Sequence, residues 1–211
     1  MKHRAMHIQD QHADAPRPAR TIGTLMNSAE SLAARVRGGD EAAFQLIFDR
    51  YARPLISFIY DMVGERALAE ELTQETFVRA YRCIGSVRDD GNLSTWLFGI
   101  AKNVAREAIR ARVRRGRECD IETPQVTQLN DGRLQPDAHL LQKELNGCIH
   151  DALQTLDEDK RLVFTLRVFQ ERSYEEIAEI TNFSMAKIKT DLHRARLEMR
   201  RTLRPYLEVE K

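Results

Sequence analysis

The stretch from Ser173 to Arg201, SYEEIAEITNFSMAKIKTDLHRARLEMRR, leaves the chain little freedom in how it folds. Ser173 and Glu176 stand at capping-box spacing, so each side chain can satisfy a backbone donor that the first helical turn leaves orphaned. Tyr174, Ile177, Ala178 and Ile180 then form an apolar stripe. Thr181-Asn182-Phe183 is turn material, and Ser184 is a suitable N-cap for a second helix. In that helix Met185, Ile188, Leu192, Ala195 and Met199 recur at three- and four-residue steps and share one face. Lys187, Lys189, Thr190, His193, Arg194 and Arg201 spread over the opposite arc. A capped helix, a short turn and a capped basic helix with one apolar seam describe a helix-turn-helix whose second helix suits the major groove. The same periodicity also fits a solvated surface helix of an ordinary bundle, and the turn lacks the glycine often found in this motif.

Bulk properties point the same way. The chain has 211 residues, enough for one large or two small domains, and 31% of them are charged while only 7% are aromatic. This balance favours an all-α protein over a sheet-rich one. The net charge of +1 hides strong segregation. Acidic residues gather around Glu65–Glu75, Glu118–Glu122 and Glu171–Glu179, basic ones around Lys102–Arg117 and Lys187–Arg204, so different faces are built for different partners. The three cysteines Cys83, Cys119 and Cys148 are too scattered for a disulfide framework. With His139 and His150 they show no CxxC or HxxxH spacing, and no metal or other cofactor is expected. No apolar run is long enough to span a membrane. The basic N-terminus lacks the apolar core of a signal peptide, so a cytoplasmic protein is expected.

Residues 1–27 carry histidines, prolines and arginines without periodicity and read as a disordered extension. Helical patterning begins at Ser28. Leu32 and Val36 precede the Gly38-Gly39 break, Phe44, Ile47 and Phe48 follow it, and Pro54 is expected to kink or restart the helix that continues through Tyr51, Leu55, Phe58 and Ile59. The next helix is expected over Ala67–Ile84, with Leu68, Leu72, Phe77 and Ala80 or Tyr81 facing inward. Glu71, Gln74, Glu75 and Val78 share a different face. That face is either a docking surface for a basic partner or a solvated flank.

Gly85–Leu93 reads as a loop, after which Asn92 or Ser94 caps a long helix, STWLFGIAKNVAREAIRARVRRGR. Leu97, Ile100, Ala101, Val104 and Ala108 form its core face. Lys102, Asn103, Arg106 and Arg110 are expected on the outer arc, and Arg112, Arg114, Arg115 and Arg117 extend the basic run. A second cationic helix, far from the first, fits a long nucleic-acid track. Trp96 either stacks on a base or anchors the core. Residues 116–137, with Pro124, Gly132 and Pro136, have no hydrophobic period and read as a flexible interdomain linker. Helices are expected over Ala138–Leu156 and Glu158–Gln170, offering Leu162, Phe164, Leu166 and Phe169 as a bed for the helix-turn-helix. The chain holds no Gly-rich phosphate loop, GxSxG or HExxH, so an enzyme is not expected.

Five segments in order, DEAAFQLIFDRY, AEELTQETFVRAYR, STWLFGIAKNVARE, LDEDKRLVFTLRVFQERSYEEIAEI and SMAKIKTDLHRAR, resemble the extracytoplasmic-function sigma factors, the two-domain branch of the bacterial sigma-70-type family. The resemblance covers about Ser28–Gly116 and Leu140–Tyr206. It implies two small helical domains joined by a flexible linker. Region 2 would occupy 28–115, and a region 4 helix-turn-helix domain would occupy 138–207. It also implies partners: RNA polymerase core, promoter DNA in duplex and single-stranded form, and a controlling anti-sigma factor. Glu71, Gln74, Glu75 and Val78 would dock on the polymerase. Arg88, Asn92, Trp96, Lys102, Asn103, Arg106 and Arg110 would serve the minus-ten element, where a base is captured once unstacked. Ser184, Lys187, Lys189, Thr190, His193 and Arg194 would read the minus-thirty-five element as duplex.

Three positions depart from the family pattern. Ala186 and Lys187 stand where glycine and threonine are common, and Asp191 stands where arginine is usual. Asp191 either points into solvent, accepts from a cytosine amino group, or pairs with Lys187 or Arg194; the orienting pair is the expectation carried forward. Two other functions compete: a sigma-like decoy that titrates an anti-sigma protein, and a free-standing helix-turn-helix regulator. The decoy predicts an eroded recognition helix, and the regulator has no need of the Glu71/Gln74/Glu75 face.

Overall fold

A computed structural model of the chain describes residues 32–87, 92–118 and 138–207. The expected N-terminal extension, Arg88, Cys119 and most of the linker lie outside these residues. Among the described residues the regular structure is helical throughout, and both helical domains of the expected all-α architecture are present.

Helix α1 (Leu32–Arg37) ends at the glycine pair, where Gly39 takes the left-handed φ of 88° that a side chain would disfavour. Asp40 then caps α2 (Glu41–Val63), accepting from the Ala43 amide at 3.1 Å while Arg35 pairs with it at 2.7 Å. Of the two alternatives at Pro54, the restart does not occur; the helix runs through it. Leu55, Phe58, Ile59 and Met62 beyond the proline are fully buried, as is Ile47 before it. Each contributes about 1.5–3 kcal/mol on burial, which outweighs the ~3 kcal/mol cost of an interior proline. Gly64, at φ 83°, closes the helix with its amide on the Tyr60 carbonyl. Helix α3 (Arg66–Cys83) lies on α2, with Phe77 edge-on to Phe44 at 6.2 Å. A short 3-10 turn over Ile84–Ser86 follows.

Helix α4 (Leu93–Glu118) packs on α2 and α3, with Phe98 set against Phe58 at 5.3 Å. It continues through 116–118, residues whose composition assigned them to the linker. Helix α5 (Ala138–Thr155) precedes α6 (Glu158–Phe164), capped by Asp157 on the Lys160 amide. The helix expected to run on to Gln170 instead widens over Thr165–Phe169, where the Gln170 amide reaches back five residues to the Thr165 carbonyl. Helices α7 (Tyr174–Thr181) and α8 (Met185–Leu207) form the helix-turn-helix. Both halves of the Ser173/Glu176 capping box are made, at 2.8 and 3.1 Å. The missing turn glycine is replaced by Asn182, which adopts φ 59°, a left-handed conformation that asparagine tolerates better than most residues.

The two halves share one core. Phe58, Leu97 and Phe98 on one side and Leu162, Leu166, Ile177 and Leu192 on the other belong to a single apolar cluster. Arg161 fastens the seam. It donates to the Met62 carbonyl and the Gln154 Oε1 at 2.7 Å, and to the Gln154 and Leu156 carbonyls at 3.0 Å. Gln154 in turn donates to the Asp61 carbonyl at 3.0 Å, and His150 stacks on Tyr60 with ring centres 4.2 Å apart.

Candidate nucleic-acid interface

On α3, burying Ala69, Thr73, Thr76, Phe77 and Ala80 forces the residues between them outward. Glu71, Gln74 and Val78 are exposed. Glu75 is half-buried and committed to Arg79 at 2.7 Å, and Arg79 also reaches Glu107 on α4 at 2.9 Å. The hydrogen bond from Arg79 holds the Glu107 carboxyl below the usual range. Beside this face runs an apolar groove lined by Phe44, Phe48, Phe77, Val78 and Tyr81. The four residues predicted as one face are therefore together, three of them open.

On α4 the prediction divides. Asn92 (in the turn before the helix), Asn103, Arg110, Arg112, Arg114 and Arg115 are exposed. Trp96 is half-buried against the core and also lines an open pocket beside Asn103. Lys102 is not on the outer arc: it is 7% exposed, and its ammonium donates to the Ile180 carbonyl at 2.8 Å. Burial pushes its pKa down, and the neighbouring Arg106 adds to the effect. Arg106 is half-buried, 2.6 Å from Glu158 and also bound to Asp159, with its guanidinium 5.7 Å from the Phe183 ring centre. The reason is geometric. Phe98, Lys102 and Arg106 stand at successive i+4 steps, so they share the stripe that α4 turns toward α7. From the helix pattern alone that stripe has no visible partner.

On α8, Ser184 caps the helix through its hydroxyl on the Lys187 amide at 3.3 Å. Ile188, Leu192, Ala195 and Met199 are buried as predicted, while Met185, in the first turn, is exposed rather than part of the seam. Lys189, Thr190, His193 and Arg194 present a continuous exposed row. Lys187 is turned aside. Its ammonium sits 2.6 Å from Asp191 and 2.9 Å from Asp159, over the Phe183 ring at 4.5 Å. Asp191 and then Asp159 hold its pKa above the ordinary lysine value. Asp191 is 8% exposed, so it does not point into solvent, and Lys187 is its partner.

Sequence reasoning missed Glu158, Asp159 and Arg172. The two acids read simply as favourable charge in a first helical turn, where the helix dipole welcomes them. Nothing local announces that they pair across the fold. Among the described residues no cluster of three metal-ligating side chains occurs, and no helix is long and apolar enough to cross a membrane.

Residues 47–115 match Sigma-70 region 2, and residues 146–199 match Sigma-70, region 4. Over 184 residues the chain is 32% identical to the RNA polymerase sigma-H factor of Pseudomonas aeruginosa, covering 84% of this chain and 95% of that one. It is 30% identical over 181 residues to the ECF RNA polymerase sigma-E factor of Salmonella typhimurium, covering 83% and 94%. The chain belongs to the sigma-70 family, in its extracytoplasmic-function branch. The fold agrees with solved sigma factors. The Bartonella quintana sigma factor RpoE, in complex with the anti-sigma factor NepR, superposes with a TM-score of 0.60 at 25% identity, covering 80% of this chain and 98% of that one. CnrH, in complex with the cytosolic domain of CnrY, shares the fold with a TM-score of 0.61 at 21% identity, over 85% and 97%. A sigma factor performs no covalent chemistry of its own; it acts with RNA polymerase core on promoter DNA. In this sigma factor α4 lies in region 2, and α7 and α8 lie in region 4.

Proposed function

We propose that this sigma factor divides promoter recognition between its two halves, and that the exposed row Lys189, Thr190, His193 and Arg194 carries the upstream half. That row stands opposite the buried Ile188, Leu192 and Ala195, on a helix fixed by a tight capped turn, which is the presentation major-groove reading requires. The region 2 half, residues 28–115, docks on polymerase through Glu71, Gln74, Glu75 and Val78. It serves the opened minus-ten strand with Asn92, Trp96, Lys102, Asn103, Arg106 and Arg110, together with Arg88. Residues 138–207 read the minus-thirty-five duplex with Ser184 and Lys187 beside the exposed row. Residues 116–137 connect the two sites.

The protein works in the cytoplasm, and an anti-sigma factor controls it. The anti-sigma complex of the Bartonella quintana relative supports the latter reading.

The docking assignment is tested by the Glu71→Lys/Glu75→Lys variant. It is expected to lose co-purification with core polymerase while far-UV helicity and melting temperature stay close to wild type. A variant that still co-purifies with core contradicts the assignment.

A further inference from the structure

Three elements of region 4 converge on one ammonium, that of Lys187. Asp191, one turn along α8, lies 2.6 Å from it, and Asp159, in the first turn of α6, lies 2.9 Å from it. The Phe183 ring, in the turn before α8, is centred 4.5 Å away. The α8 partners are unequally exposed: the Asp191 side chain is 11% exposed and that of Lys187 38%. A carboxylate so far withdrawn from water is costly without a cation beside it, so it holds its lysine more firmly than a surface partner would. Arg194 stands three residues beyond Asp191, a spacing that also permits a pair. Among the described residues no ion pair joins them, and Arg194 is exposed. Of the two cations within its reach, the acid therefore keeps Lys187 on the protein and leaves Arg194 to solvent and DNA.

We propose that Asp191 sets the strength of duplex binding by α8 without setting its sequence, by retaining Lys187 on the protein and so withholding one phosphate contact. The inference rests on the reading of α8 as the helix that meets the upstream duplex, and within that reading Lys187 acts by position rather than by contact. Helix geometry supports it. At about 100° per residue, Lys187 lies about 90° around α8 from the middle of the row Lys189, Thr190, His193 and Arg194. It borders the groove-facing arc without belonging to it. From that flank a released lysine, long and flexible, meets the backbone before it meets a base edge. Phosphate contacts position a protein on DNA but carry no sequence information. Each one raises affinity on every sequence and makes binding more sensitive to salt. An acid that keeps such a lysine at home lowers affinity for all duplexes together and leaves base readout to the exposed row.

The test uses holoenzymes assembled with the full chain as wild type, Asp191→Asn, Lys187→Met and the double variant, each as helical as wild type by circular dichroism. Methionine keeps the apolar stem of the lysine beside Phe183 and removes only the charge. Closed-complex affinity is measured at two salt concentrations on a promoter duplex and on the same duplex with its upstream element scrambled. Asp191→Asn is expected to bind both duplexes about threefold more tightly, with their ratio unchanged and the salt slope steeper by about one. Lys187→Met alone is expected to change neither affinity nor slope. In the double variant the gain is expected to vanish, because no lysine is left to release. An equal gain with and without Lys187 overturns the proposal, since the acid then merely repels phosphate. A gain confined to the intact element overturns it as well, because Asp191 would then bear on sequence. So does a loss of affinity in Lys187→Met, which would show that the lysine already meets DNA. If the wild-type holoenzyme binds the intact and scrambled duplexes equally, the reading of α8 itself falls.

Discussion

Arg161 shows how much one side chain settles in this fold. Its guanidinium spends both terminal nitrogens on four neutral oxygens, drawn from α2, from α5 and from the turn that follows it. Burial lowers its pKa, yet an arginine keeps its charge where a lysine would be prone to lose it. Only a planar fork reaches four acceptors at once. Arg161→Lys is therefore expected to cost about 2–4 kcal/mol in chemical denaturation, because carbonyls at the seam lose their donors. A loss within 0.5 kcal/mol would mean that water serves those carbonyls equally well. Asp61, on the same seam, works in the opposite direction. Burial pushes its carboxyl up to about 7, from an ordinary value of 3.8. A carboxyl raised in the folded state opposes folding once it ionises. The penalty is absent below about pH 4, grows as pH rises and is complete above about pH 7. Asp61→Asn is expected to stabilise the protein by about 1–3 kcal/mol at pH 8 and by clearly less at pH 5. Melting curves of both proteins at the two pH values check this; an equal effect at both contradicts the ionisation argument.

The helices explain which features were legible in the sequence and which were not. Capping at Ser173/Glu176 and Ser184, and the seam of Ile188, Leu192, Ala195 and Met199, are local properties written in three- and four-residue spacing, and they stand in the structure as read. Pro54 does not restart α2 because its propensity is local, whereas the burial of Leu55, Phe58, Ile59 and Met62 that holds the helix together is not. Lys102 and Arg106 misled for a related reason. A helical wheel gives arcs but does not say which arc another helix will cover, and α4 is covered by α7 as well as by α2 and α3. Asp191 was half legible: spacing allowed a pair with Lys187, and the structure makes it. The α7–α8 turn supplies a further test. Asn182 holds φ 59°, and its amide bonds the Ala178 carbonyl at 2.8 Å. Asn182→Gly is expected to be neutral or slightly stabilising, and Asn182→Ala to cost about 1 kcal/mol, since alanine keeps the Cβ penalty of a left-handed residue while losing asparagine's compensating polar group. Thermal melts that rank alanine at or above glycine would show that this backbone is not the constraint on the turn.

Across the whole chain, the proposed division of promoter recognition places the two readers on α4 and α8. Lys102 is buried and Arg106 and Lys187 are paired with carboxylates, while Asn103, on α4, and Lys189, Thr190, His193 and Arg194, on α8, are exposed. Under the proposed division, α8 makes the first approach to promoter DNA and α4 serves strand opening. Footprinting and permanganate reactivity of holoenzymes carrying Asn103→Ala or Arg194→Ala on one promoter separate the two roles. Asn103→Ala is expected to keep protection over the upstream element while losing the reactive thymines of the opened strand. Arg194→Ala is expected to weaken the closed complex itself, by about 1–3 kcal/mol for a bidentate base contact. Identical defects in the two holoenzymes, with protection and reactivity lost together, would contradict the division of promoter recognition between the two halves.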